Sequence, residues 1–358
     1  MHATDLPRKN SSAWHTMSQP IRRHSATAQA AYHDLVSLLL DEALSNIKGT
    51  PTARRRNGRT YWYDRYRIGT ETKERYLGEN NAELLERLSR YQELSASRTE
   101  RLRERGRLVR LLRSERFLGL DAATGSLVGA LARSGVFRLG GVMVGTTAFR
   151  LYEGELGLRL AMDDIAVTND IDIASFERLS LALEDSVEPA LASVFRDLEF
   201  APVPDLDRNG TWRWRQTRAQ TLVEFLTPSF EDDEGVRPLP ALGVSAQALH
   251  HLNFLIADPI DAAAVYREGV LVKTPRPERF AVHKLIVADR RRDGPDSLKA
   301  RKDRAQAALL VAVLAEDRPQ DLAEAYRDAL DRGPRWRARI EASLSRIPKT
   351  RDRLETLA

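Results

Sequence analysis

The sequence predicts an α/β (α+β) protein: a mixed sheet with flanking helices, preceded by a basic helix-and-hairpin module and followed by a helical region. Three observations predict it. An apolar run from Phe137 ends in a glycine turn that opens a helix reaching Tyr152. Two further short apolar segments, Ile165–Ala174 and Thr221–Leu226, carry acidic residues among β-branched ones. Beyond residue 278 the apolar positions recur at helical spacing to near the end of the chain. With 358 residues, at roughly 100–200 per domain, the chain has length for two or three domains.

Composition narrows the function classes. Hydrophobic residues make up 42% and charged residues 30%, the balance of a soluble globular protein. No apolar run approaches the ~18 residues of a membrane span, so no membrane role is expected. The first 25 residues lack the apolar core of a secretory signal. Cysteine is absent, which removes disulfides, thiolate nucleophiles and sulfur-held zinc, and fits a cytoplasmic location. A metal would therefore be held by oxygen or imidazole, which favours Mg²⁺ or Mn²⁺. Net charge is +5, but residues 51–118 hold 18 basic against 10 acidic side chains, a footprint that suits a polyanion. A solvated helix face with paired charges accounts for it equally.

In order, residues 1–28 are polar and aperiodic and read as a flexible leader. Residues 29–120 form the basic module: a helix over 31–46, a hairpin over 59–77 around Gly69-Thr70, and a long charged helix over 82–117 interrupted at Gly106. A core follows over 121–275. It has a buried helix at 120–136, a central strand ending at Val144, and a helix opened by Gly145-Thr146-Thr147. Next come a loop over Glu153–Thr168, the segment to Ala174, a helix from Ser175, antiparallel strands at 213–215 and 221–226, and a strand at 270–272. The helical region spans 276–358, with helices expected at 278–292, 299–316, 319–331 and 334–346.

The chemistry concentrates in Thr168–Ile173. On a strand, residues i and i+2 share a side, so Asp170 and Asp172 present two carboxylates together while Ile171 and Ile173 face the core. Such neighbours repel unless a cation lies between them, and paired carboxylates with substrate phosphates are how Mg²⁺ is usually held. A solvated strand end would also explain the pair. Upstream, Gly145 and Thr146 sit at a strand-to-helix turn whose free N–H groups suit a phosphate, or Thr146 or Thr147 simply caps its own helix. Glu224 is a lone acid in the apolar strand TLVEFLTP and calls for a partner or an edge position.

GGVMVGTTAF, then TNDIDI, then VEFLTP resembles the nucleotidyltransferase fold of the DNA polymerase β superfamily, as found in bacterial proteins with AbiE-type abortive-infection toxins as more distant kin. The resemblance covers roughly 120–315. It implies that Gly145 and Thr146 cradle a triphosphate and that Asp170, Asp172 and Glu224 hold Mg²⁺ or Mn²⁺. It also implies that Lys284 and the Lys302-Asp303 pair contact triphosphate or fix a loop, although a surface lysine and a dipole-complementing aspartate would fill those places too. This sequence departs from the pattern in Thr146 for Ser or Gly, in the long gap before Asp170, and in Glu224 for Asp.

The implied reaction is transfer of a nucleoside monophosphate from an NTP to an acceptor hydroxyl with release of pyrophosphate. An RNA end, tRNA included, suits the basic N-terminal third as acceptor; a protein partner stays open. The alternative is a decayed module of the same fold that binds nucleotide or a partner without catalysis. Tyr61, Trp62, Tyr63, Tyr66 and Tyr76 stand among Arg54–Arg56, Arg59, Arg65 and Arg67, a pattern for base stacking or for a hairpin burying its rings. In Trp212-Arg213-Trp214-Arg215, alternation puts Arg213 and Arg215 on one side, towards substrate. The seven histidines show no zinc spacing.

Overall fold

A computed structural model describes residues 21–44, 49–68, 71–96, 98–160, 168, 170–178, 186–204, 210–218, 221–292 and 297–357. Most of the expected leader, the Gly69-Thr70 turn, residues 161–167 of the expected loop and most of the helix expected from Ser175 fall outside them.

The chain begins with α1 (Ala26–Leu44), β1 (Thr50–Arg56), β2 (Arg59–Ile68), β3 (Glu71–Glu79), α2 (Ala82–Ala96) and α3 (Arg98–Ser114). The core comprises α4 (Ala122–Ser134), β4 (Val142–Val144), α5 (Gly145–Glu155), β5 (Asp170–Ala174), α6 (Leu191–Asp197), β6 (Phe200–Pro202), β7 (Arg213–Gln216), β8 (Leu222–Pro228), β9 (Val236–Leu239), β10 (Val244–Leu249), α7 (Leu252–Leu255), β11 (Ile260–Ala264) and β12 (Val270–Thr274). The helices α8 (Pro277–Arg290), α9 (Ser297–Asp317), α10 (Pro319–Asp331), α11 (Pro334–Leu344) and α12 (Pro348–Leu357) complete it.

The main sheet is mixed and runs β4-β5-β8-β10-β9. One edge of β8 is taken by parallel β5. Its other edge is shared: antiparallel β7 pairs at Leu222–Glu224 and parallel β10 at Leu226–Pro228. Strand alternation sorts the residues between two faces. Ile171, Ile173, Val223, Phe225 and Trp214 pack with Leu127, Leu131 and Phe195 on one. On the other, Val142, Val144, Ala174 and Leu226 pack with Phe280, Leu285 and Leu310 from α8 and α9. Each such side chain contributes roughly 1.5–3 kcal/mol when fully buried.

Three expectations change. The hairpin has a third strand: Asn57 and Gly58, at φ 50° and 75°, form the tight turn that Asn-Gly favours, and β1 pairs with β2 from Thr50–Arg65 to Arg56–Arg59. Gly106 lies inside α3 and interrupts nothing. Its cost of about 1 kcal/mol against Ala is outweighed where Leu108, Val109 and Leu112 bury against Tyr32 and Leu35 of α1. Finally, 29–120 is not one module. The cluster of α1 and α3 also takes in Ala263 and Val265, so this helix pair joins the core and only β1–β3 with α2 form a separate sheet and helix.

Residues 21–25, expected to lie in the flexible leader, are docked. Arg23 bridges the Leu158 backbone, and its guanidinium donates to both carboxylate oxygens of Asp317 at 2.8 Å. The His24 ring stacks on Phe117 at 3.9 Å and pairs through Nε2 with Glu153 at 2.9 Å. Among the described residues, no helix is long and apolar enough to cross a membrane.

Candidate active site

Strand register brings the distant acids together. Asp172 of β5 lies directly beside Glu224 of β8, Glu224 lies beside Arg213 of β7, and Asp172 also faces Val144 at the end of β4. Two residues further along, Asp170 and Arg215 flank Leu222 from either side. Side chains at paired positions share a face, so Asp170, Asp172, Glu224, Arg213 and Arg215 all lie on the face covered elsewhere by α8 and α9. Ile171 and Val223 point the opposite way and are buried.

The acids strain against one another. Burial, then the charges of Glu224 and Asp170, push the Asp172 carboxyl up to about 7, against the opposing pull of Lys284 and Arg291. Burial and Asp170 likewise raise Glu224, opposed by Arg213, Lys299 and a hydrogen bond with Asp172. Two carboxyl groups can share a hydrogen bond only if one keeps its proton. Among the described residues, no three His, Asp or Glu side chains stand close enough to hold one ion between them. Paired carboxylates with raised proton affinity still fit a hard divalent cation of the Mg²⁺ kind, which takes one or two protein carboxylates and fills its other positions with water and phosphate oxygens.

Gly145 makes the approach possible. It sits at φ +68°, and a Cβ there would lie 2.0 Å from Oδ2 of Asp172. Any side chain would evict the carboxylate from the start of α5. Neither threonine caps that helix: α5 has no side-chain cap. Instead the Thr147 hydroxyl donates to the Asp170 carbonyl at 2.9 Å, tying helix to strand, and Thr146 Oγ1 accepts from Gln306 of α9 at 3.4 Å.

The remaining candidates separate. Trp214 stacks on Phe195 at 4.7 Å and belongs to the core, while Arg213 lies 4.3 Å from the ring centre of Trp212 and Arg215 is exposed. Lys284 is buried, its ammonium 2.6 Å from Asp303, whose second oxygen takes Arg291 at 2.9 Å. That pair ties α8 to α9. Lys302 is half-buried and within the field of Asp170, and Lys299 acts on Glu224. Lys299 and Gln306 were missed from sequence. The signal was there: Lys299, Asp303 and Gln306 follow at helical spacing on one face, and KARK puts cations in the first turns of a helix, where the dipole disfavours them.

The mixed sheet, the glycine-opened helix and the acidic row together make up an α/β core. Residues 122–331, more than half the chain, match a family of nucleotidyltransferases, and the chain belongs to that family. Residues 28–87 match a domain of unknown function. No curated protein matches. Among solved structures, an antigenic nucleotidyltransferase-like protein from Paracoccidioides brasiliensis is similar over 63% of this chain and 95% of its own, with 13% identity and a TM-score of 0.31.

Proposed function

We propose that the chain transfers a nucleoside monophosphate from an NTP to an acceptor hydroxyl at the acidic row of β5 and β8. The observation that carries this is the register placing Asp172 beside Glu224, with Asp170 on the same face. The acceptor oxygen bonds to the α-phosphorus, the bond from that phosphorus to the bridging oxygen breaks, and pyrophosphate leaves.

Asp170, Asp172 and Glu224, no more than two of them to any one ion, would hold Mg²⁺ or Mn²⁺, which would screen the triphosphate and lower the pKa of the acceptor hydroxyl. The start of α5, at Gly145 and Thr146, offers backbone N–H groups to phosphate oxygens. Arg213 and Arg215 flank the acids from β7, and Lys299 and Lys302 face them from α9. Lys284 works at one remove: held by Asp303, it fixes α8 against α9 and thereby sets where Lys302 stands. The chain's contribution is placement and charge, which is most of what phosphoryl transfer asks of a protein. A nucleic-acid acceptor suits the basic N-terminal third.

The test follows label from α-³²P-NTP into a pool of RNA and protein acceptors, with pyrophosphate measured in parallel. The unmutated chain should transfer label, and Asp170→Asn/Asp172→Asn should not. Equal transfer by the variant overturns the site. NTP binding in calorimetry without pyrophosphate release from any acceptor establishes the decayed binding module instead.

A further inference from the structure

The sheet of β1–β3 has two unlike faces. Alternation along β2 sends Trp62, Asp64 and Tyr66 one way and Tyr61, Tyr63 and Arg65 the other. The first face is covered. Trp62 packs with Leu77, Leu84, Leu88 and Tyr91; Asp64 is fully buried and accepts from the Gly49 amide at 2.8 Å; and Tyr66 donates to Glu188 of the core at 2.9 Å.

The second face is basic and aromatic. Register sets Arg54 beside Tyr61, Arg56 beside Arg59, Thr52 beside Tyr63 and Thr50 beside Arg65. Arg54, Arg56, Arg59 and Arg65 are exposed, and Tyr61 and Tyr63 are partly so. Arg54 reaches over the Tyr63 ring at 5.5 Å from its centre. Two acids, Glu74 and Glu79, pair with Arg54 at 2.6 Å and Arg59 at 3.5 Å, which leaves the face net positive. The side chains of Arg67 and Tyr76 fall outside the described residues.

We infer that this face is a docking platform for single-stranded nucleic acid. A fold that needed its tyrosines only for a core would turn them towards α2, as it does Trp62. Here rings and guanidinium groups neighbour one another across adjacent strands on the side turned away from α2, where the arginines are exposed, which is what a chain of bases and phosphates requires: π faces for stacking and cations for the backbone. A duplex hides its base faces and would leave the rings without a role, and an acidic peptide would use the arginines alone. As a statement about the acceptor, the inference rests on the transfer proposed above. As a statement about binding, it does not.

The experiment separates the two. Binding of short fluorescein-labelled single-stranded RNA, single-stranded DNA and the matching duplex to the full chain is followed by anisotropy, without NTP or divalent cation. Single strands should bind roughly tenfold or more tighter than the duplex, since each stacked base is worth a factor of about 5 to 150. Binding of RNA and DNA alike means that bases and phosphates alone are read; preference for RNA adds its 2′-hydroxyl; both support the platform. Tyr61→Ala/Tyr63→Ala should weaken single-strand binding roughly 5- to 100-fold with an unchanged salt slope. Tyr61→Phe/Tyr63→Phe should keep the affinity. Arg59→Ala/Arg65→Ala, changed at exposed positions that leave the fold alone, should lower the log–log salt slope by about 1.4, near 0.7 for each lost phosphate contact. A duplex bound as tightly as single strands, or an unchanged slope in the arginine variant, overturns the inference. Asp170→Asn/Asp172→Asn should bind as the unmutated chain does, and an unmutated chain that binds single strands but transfers no label strikes only the catalytic proposal.

Discussion

Asp303 is buried and Asp172 half-buried, both feel the charges of Lys284 and Arg291, and they respond in opposite directions. Burial alone would raise Asp303, but Lys284 and Arg291 each hold one of its oxygens and bring it below the usual carboxylate range. Asp172 feels the same two cations from further off and sits against Glu224 and Asp170, so burial and repulsion win. The first arrangement is complete as it stands. The second is left with net repulsion between its acids, which a bound cation would relieve in the transfer proposed above.

The sharpest way to break that comparison is to remove the completed pair. Asp303→Asn leaves Lys284 and Arg291 crowded without a counter-charge, and urea unfolding should show a loss of about 3–5 kcal/mol. A loss below about 1 kcal/mol would mean that the α8–α9 contact does not depend on the pair. Next comes the incomplete site. Glu224→Gln keeps shape and removes charge, and label transfer should fall roughly a hundredfold or more while the melting temperature does not fall; unchanged transfer would place the chemistry elsewhere.

Smaller effects follow from proton linkage. Asp172 binds its proton more tightly folded than unfolded, so its ionisation opposes folding as pH rises from about 4 through about 7. In EDTA, Asp172→Asn should therefore melt a few degrees higher than the unmutated chain at pH 8, with the gain fading towards pH 4. A lower melting temperature at pH 8 would show that the acid row is already satisfied. Glu234 has the reverse sign. Hydrogen bonds from Arg290 and His250 overcome burial and bring it to about 2, so its stabilisation is present above about 4.5 and lost as pH falls through 2. Glu234→Gln should cost about 1 kcal/mol at neutral pH, and the difference from the unmutated chain should vanish near pH 2.

What the sequence disclosed tracks how local each signal is. The i, i+2 spacing of Asp170 and Asp172, the glycine turn before α5 and the amphipathic spacing of the last helices are written in consecutive residues, and helix bounds for α8 to α11 fall within two residues of those expected. The row itself is not local. Nothing in TLVEFLTP says that Glu224 comes to rest beside Asp172 and not beside Ile171, a register slip of one residue that would reverse every side chain. Short strands escaped for another reason. Val236–Leu239 contains a proline, and Ile260–Ala264 reads IDAAA, whose alanines favour helix until β12 pairs with it. Asn57-Gly58 was a legible turn signal overlooked amid the arginines.

The docked segment at residues 21–25 has a consequence in time. Arg23 closes on Asp317 across 294 residues of sequence. At ~5–20 residues per second, translation needs roughly 15–60 s to deliver that partner after Arg23 is made. The small sheet and α2 can fold well within that wait, so the clamp at Arg23 closes on the ribosome only after they have formed.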